Sequence, residues 1–371
     1  QMADNNKLKI GITHGDINGI GYEVIMKALE DEAILELCTP VVYGSAKIAA
    51  FYRKALELPT LPLNQVQQAS EARDGHYNII NVVGEDTKVE PGQPTRTAGE
   101  AAMAALERAV ADLKSGQIDV LVTAPINKHE MQSDTFHFPG HTEYLESSLG
   151  EPGEKALMVM CSEAPVLRVA LLTTHTPIAR VAQTVTAEAV TEKIKALDAS
   201  LRRDFGVVRP RIAVLALNPH AGDQGLLGSE EQTAITPAIE AVRKERIEAF
   251  GPYAADGFFG NGLFSRFDGV LAMYHDQGLA PFKTIAMDRG VNLTAGLPYV
   301  RTSPDHGTAY DIAGRGTASP ESMREAIYRA IDTYRCRASY DEAHANPLRK
   351  QYVEKNKKDN VVLDLTRTDD K

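Results

Sequence analysis

Three of the ten histidines stand in the same sequence setting. His175 follows LRVALLTT, His220 follows RIAVLALNP and His275 follows GVLAMY, so each comes shortly after an apolar run. If those runs are parallel strands, all three lie beyond carboxyl ends, where open α/β sheets hold their ligands. Neutral imidazoles suit zinc and other first-row divalent ions, and three of them leave a coordination position open for chemistry. The plainer reading is three unrelated loop histidines, because residues so far apart in sequence need not bring their side chains together. Two carboxylates stand nearby in sequence, Asp276 beside His275 and Asp256 in GPYAAD. Each suits ligand orientation or proton transfer, and each equally suits a turn.

A second set of residue types points to an anion. Lys283, Arg289 and Arg301 recur with Asn292 between them, the groups that hold phosphate or carboxylate, although a solvated basic face has the same composition. The string Gly140-His141-Thr142-Glu143 reads as the opening of a helix, whose free N–H groups and positive dipole end attract an anion. Thr142 as a simple N-cap is the competing reading. Gly15, Gly19 and Gly21 are spaced GxxxGxG, which is neither the GxGxxG fingerprint nor a P-loop, and they read as a tight strand-to-helix turn.

These residues need a frame, and the hydrophobic pattern supplies one. Residues 9–13 (KIGIT), 118–122 (IDVLV), 167–172 (LRVALL), 212–217 (IAVLAL) and 269–273 (GVLAM) are continuous apolar runs. Without polar alternation they predict strands covered on both faces, hence a largely parallel sheet in an α/β fold. Residues 23–29 have helical composition. Met103, Leu106, Val110 and Leu113 recur at spacings of three and four on one helix face, which Gly116 ends.

Composition narrows the function. The 371 residues carry 40 Lys and Arg against 50 Asp and Glu, a net charge of −10 that disfavours nucleic acid as a partner. No apolar run is long enough for a membrane span. Cys38, Cys161 and Cys336 are too scattered for a disulfide framework or a thiolate metal site, which fits a reducing cytoplasm. The first residues lack the positive-then-apolar layout of a secretory signal.

Taken together, the strings TAPINK (123–128), GHTEY (140–144), THTP (174–177), NPHAGD (218–223), YHDQGL (274–279) and RTSPDHGTAYDIAG (301–314) resemble the 4-hydroxythreonine-4-phosphate dehydrogenase family of vitamin B6 biosynthesis. The resemblance runs from about Lys7 to about Arg337. It implies two α/β/α subdomains with mostly parallel sheets and an interdomain cleft, similar to isocitrate and isopropylmalate dehydrogenases. Residues 7–345 would form the catalytic region, with a split subdomain of 7–139 plus 291–345, a central subdomain of 140–290, and a charged extension at 346–371. The resemblance further implies a divalent metal on His175, His220 and His275, with His275 supplied by the partner subunit of a homodimer. Zinc is the first choice, with magnesium or cobalt as alternatives. Substrate contacts carry over to His141, Thr142, Lys283, Asn292 and Arg301, and the cofactor, NAD or alternatively NADP, to His306, Gly307 and Asp311.

The implied reaction is oxidation of 4-phosphohydroxy-L-threonine to a β-keto acid that decarboxylates to 3-amino-2-oxopropyl phosphate. Asp256, Asp276 and Lys128 are the candidate proton acceptors, unranked. Two alternatives stand beside it: a paralogous 4-phospho-threonate or 4-phospho-erythronate dehydrogenase, and a non-catalytic phospho-ligand-binding protein. This sequence departs from the family pattern at Ile17, Asn18 and Tyr22, where the usual string is GDPAGIGPE, and at Gly257, where a threonine is common.

Overall fold

Runs of valine, isoleucine and leucine form strands here because such side chains pack well on a pleated surface that is covered on both faces. A computed structural model describes residues 7–132 and 141–347. Among them twelve strands occur: β1 (Leu8–Thr13), β2 (Cys38–Gly44), β3 (Leu63–Val66), β4 (Tyr77–Asn81), β5 (Val120–Thr123), β6 (Leu157–Glu163), β7 (Val166–Leu171), β8 (Arg211–Leu215), β9 (Glu248–Tyr253), β10 (Gly269–Ala272), β11 (Val291–Ala295) and β12 (Val300–Pro304). The five predicted runs are β1, β5, β7, β8 and β10, with ends that differ only slightly from those expected. Residues 23–29 fall in the helix Gly21–Ala28, apart from Leu29 at its end.

All twelve strands join one sheet in the order β3-β4-β2-β1-β5-β12-β11-β6-β7-β10-β8-β9. From β3 to β12 the neighbours are parallel, and so are β7, β10, β8 and β9. Between these two parallel groups the pairings β12–β11, β11–β6 and β6–β7 are antiparallel. The fold is therefore α/β with a mostly parallel sheet, as the apolar runs predicted. The antiparallel centre was not anticipated, because a strand buried on both faces reads the same in either direction.

Register places the chemistry. In β6, β11 and β12, Met158, Thr294 and Arg301 form one cross-strand row, and Met160, Asn292 and Ser303 form the next. Neighbouring rows on one face are separated by a single intervening residue, so all six side chains share one face of the sheet. The intervening residues Val159, Leu293 and Thr302 face the other way. There Thr302 Oγ1 donates to Ala326 O at 2.6 Å, in the long helix Glu321–Ala345. That helix is pinned by a buried ion pair, Arg337 Nε to Asp204 Oδ1 at 2.6 Å.

The helix Arg96–Lys114 covers the β1/β2/β5 region, with Leu106, Val110 and Leu113 buried as predicted and Met103 half-buried. The loop after β1 turns at Gly15, whose φ of +68° favours glycine and where a Cβ would meet Pro125 O at 2.3 Å. Close packing against the TAPINK strand end is thus what this glycine provides. Cys38, Cys161 and Cys336 are free thiols. No helix among the described residues is long and apolar enough to cross a membrane. Of the charged extension, residues 348–371 lie outside the described residues, as does Gly140.

Candidate active site

Where the two parallel groups meet at the antiparallel centre, a cleft of about 300 Å³ opens over the Met160–Asn292–Ser303 row. Its cationic anchor is Arg301 on β12. The guanidinium is buried, and among the described residues its hydrogen bonds go to hydroxyls only: Nε and Nη2 to Thr123 Oγ1 at 3.1 and 2.6 Å, and Nη1 to Thr294 Oγ1 at 3.0 Å. Burial pulls the guanidinium down to about 9 against the opposing charge of Glu143, and no carboxylate among the described residues is hydrogen-bonded to it. A buried cation in this state calls for an anion.

The other predicted substrate residues surround it. His141, Thr142, Lys283 and Asn292 all line the same cleft. His141 and Thr142 open the helix His141–Leu149, as the GHTEY string predicted. Burial, then the charges of Arg301 and Lys128, hold the His141 imidazole well below its ordinary value, so the ring is neutral. Lys283 reaches Asp305 Oδ1 at 2.9 Å, and burial raises the Asp305 carboxyl. Five cleft atoms are buried without a partner: His141 Nε2, Glu143 Oε2, Asn292 Oδ1, Asp305 Oδ2 and His306 Nε2. Buried polar groups are normally paired, so this concentration marks a site shaped for a polar ligand.

The three histidines leave three neighbouring strands. β7, β10 and β8 are adjacent and parallel, with Val169 opposite Val270 and Val270 opposite Ala213. His175, His275 and His220 follow these strands at their carboxyl ends. His175 and His275 line the cleft. His220 is exposed, at φ +53° in the turn Pro219–Gly225, and does not line it. Among the described residues of one chain, no three His, Cys, Asp or Glu side chains come together as a metal-binding group.

Asp276 Oδ1 sits 2.7 Å from His275 Nδ1 while the carboxylate itself is 85% exposed. Asp256 is exposed and accepts from its neighbour Gly257 N at 2.7 Å, a turn contact. Of the three candidate proton acceptors, Lys128 alone lines the cleft. His306 and Gly307 line it as well, and burial lowers His306. Asp311 is exposed, outside the lining. It follows Tyr310, whose hydroxyl donates to Asp16 Oδ2 at 2.6 Å and ties this loop to the glycine turn after β1. Arg289 is not part of the cleft.

Sequence reasoning missed Glu143, Asp305 and Thr123. Glu143 Oε1 lies 3.2 Å from His175 Nδ1, and that hydrogen bond holds the Glu143 carboxyl below its ordinary range. All three occur inside the strings GHTEY, RTSPDHGTAYDIAG and TAPINK, so position in those strings was the available signal.

The sequence matches the family described as pyridoxal phosphate biosynthetic protein PdxA over residues 36–330. It is 55% identical over 367 residues to a 4-hydroxythreonine-4-phosphate dehydrogenase of Bacteroides thetaiotaomicron, covering 99% of this chain and 100% of that one. An enzyme of the same name from Sulfurihydrogenibium sp. is 39% identical over 87% of this chain and 98% of its own. Among solved structures, the 4-hydroxythreonine-4-phosphate dehydrogenase of Klebsiella pneumoniae is similar with a TM-score of 0.76. That likeness is at 36% identity and covers 90% of this chain and 99% of that one.

Proposed function

The chain belongs to the PdxA family of pyridoxal phosphate biosynthetic proteins and is a dehydrogenase, and we propose accordingly that it oxidises 4-phosphohydroxy-L-threonine with NAD or NADP. The secondary alcohol becomes a ketone, the cofactor takes the hydride, and the β-keto acid loses carbon dioxide to leave 3-amino-2-oxopropyl phosphate. The observation that carries this reading is Arg301, a buried cation that among the described residues is hydrogen-bonded only to neutral hydroxyls, in a cleft where five polar atoms of those residues are buried without a partner.

Arg301, Lys283 and Asn292 hold the phosphate, while His141 and Thr142 contact the rest of the substrate. Binding energy from the phosphate positions the reacting carbon. His175, His220 and His275 would hold a divalent cation, zinc first and magnesium or cobalt as alternatives. Imidazoles are suitable donors, and of the two this chain would supply to its own site, His175 lines the cleft. When bound, the ion supplies Lewis acidity at the alcohol oxygen. The three do not group among the described residues of one chain, and we assign the set to a homodimer, with His275 of the partner subunit completing it. The hydroxyl proton goes to Asp256, Asp276 or Lys128, and Lys128 is the one that lines the cleft. His306, Gly307 and Asp311 are assigned to the cofactor. A split subdomain of 7–139 plus 291–345 around a central one of 140–290, and a cytoplasmic location, complete the proposal.

The test is reduced-cofactor formation, followed spectroscopically, with phosphohydroxythreonine, phospho-threonate and phospho-erythronate in turn, with and without added zinc, magnesium or cobalt. Turnover of the amino acid only, and only with metal, is expected. Preference for the threonate or erythronate would overturn the substrate, and thermal stabilisation without turnover would overturn the catalytic role.

A further inference from the structure

Glu143 has no part in the phosphate site proposed above, yet it lines the same cleft. It occupies the first turn of the helix His141–Leu149, close behind His141, and Oε1 lies 3.2 Å from His175 Nδ1. The two residues come from different elements, far apart in sequence. A carboxylate oxygen accepts, so the hydrogen of this bond belongs to His175 Nδ1, and Nε2 is the ring nitrogen left to face a cation. We infer that Glu143 is a positioning residue that holds His175 in the Nδ1–H form and orients its ring to offer Nε2 to a divalent cation.

Geometry separates this from two simpler roles. An acidic residue in a first helical turn interacts favourably with the helix dipole, which would need no contact with His175. Glu143 also favours the charge of Arg301, but it makes no hydrogen bond to the guanidinium, whose hydrogens go to Thr123 and Thr294, so among the described residues its hydrogen bond to another side chain is the one to His175. The counterpart pair, His275 Nδ1 with Asp276 Oδ1 at 2.7 Å, repeats the carboxylate-on-Nδ1 arrangement at another of the proposed ligand histidines. Carboxylates bonded to ligand histidines fix the ring form, and removing one typically weakens metal affinity by about 10–100-fold.

This inference rests on the metal reading of His175. Calorimetric titration of zinc into chelator-treated full-length protein measures affinity with no turnover involved. Glu143→Ala is expected to weaken zinc binding by about 10–100-fold, Glu143→Gln, which keeps an acceptor oxygen, by less, and His175→Ala by more than either. Unchanged affinity in Glu143→Ala alongside loss in His175→Ala overturns the role of Glu143 and leaves the metal reading standing. Unchanged affinity in both overturns the metal reading itself. Should Glu143→Ala fail to fold, heteronuclear NMR of labelled histidine nitrogens in the parent protein decides the matter, since an Nε2–H form at His175 would overturn the proposal.

Discussion

Arg301 is buried, and among the described residues it is hydrogen-bonded only to Thr123 and Thr294. Desolvating a cation costs several kcal/mol, and neutral hydroxyls repay only part of that. The ligand-free protein should therefore tolerate an unbranched apolar replacement. Arg301→Met is expected to leave ligand-free thermal unfolding unchanged or raised, while abolishing the stabilisation that inorganic phosphate gives the parent. Thermal scans with and without phosphate check this, and a phosphate shift surviving in Arg301→Met would remove the residue from the anion site. At this scale the sequence was partly legible. The type and spacing of Lys283, Asn292 and Arg301 suggested an anion, and only the family string beginning at Arg301 told it from Arg289. What separates them is burial: β12 lies between β5 and β11, with Val300 paired to Val120 from the first half of the chain.

Secondary-structure elements decide how firmly the cleft wall is held. The helix Arg96–Lys114 contains Gly99, where a Cβ would come within 2.1 Å of Glu130 O, in the turn that follows Lys128. Alanine is favoured over glycine inside a helix by about 1 kcal/mol. Forcing a methyl group into a backbone oxygen costs roughly 1–3 kcal/mol, so the clash should win. Gly99→Ala is expected to lower stability to denaturant and raise KM, because the turn carrying Lys128 must move. A more stable variant with unchanged KM would show that the turn has room to yield. The amphipathic face of this helix was readable from Met103 to Leu113, since period is a local property. The contact at Gly99 was not, because its partner Glu130 lies beyond the next strand, outside the helix altogether. Strand direction escaped for a related reason: β6 and β11 carry apolar content but no mark of which neighbour they run against.

Across the whole molecule, a surplus of ten negative charges describes the surface rather than the site. Buried titrating groups shape its pH response. His14 donates Nε2–H to Ala101 O at 3.0 Å and accepts at Nδ1 from Tyr22 Oη at 2.7 Å, and burial pulls it down to about 4. A base depressed in the fold binds its proton sooner in the unfolded chain. Stability from this group is therefore intact above the ordinary value of 6.5 and is lost as pH falls toward 4. Between pH 7 and pH 5 the loss is on the order of 1–2 kcal/mol. His14→Gln, which can satisfy both partners without titrating, should show a flatter fall in Tm over that interval, and an identical fall would clear His14 of the effect. Tyr22, one of the departures from the family string, is accounted for here: its hydroxyl bonds His14 and accepts from Ser45 N at 2.8 Å.

The position of β12 also bears on how the protein is made. When the ribosome has synthesised Thr123, the neighbours β3, β4, β2, β1 and β5 all exist, but the inner edge of β5 has no partner until Val300–Pro304 emerges, after six further strands have been made. An uncovered strand edge is a template for pairing with other chains. The finished sheet closes that edge with its own chain, so the nascent polypeptide, rather than the mature enzyme, carries the greater hazard of aggregation.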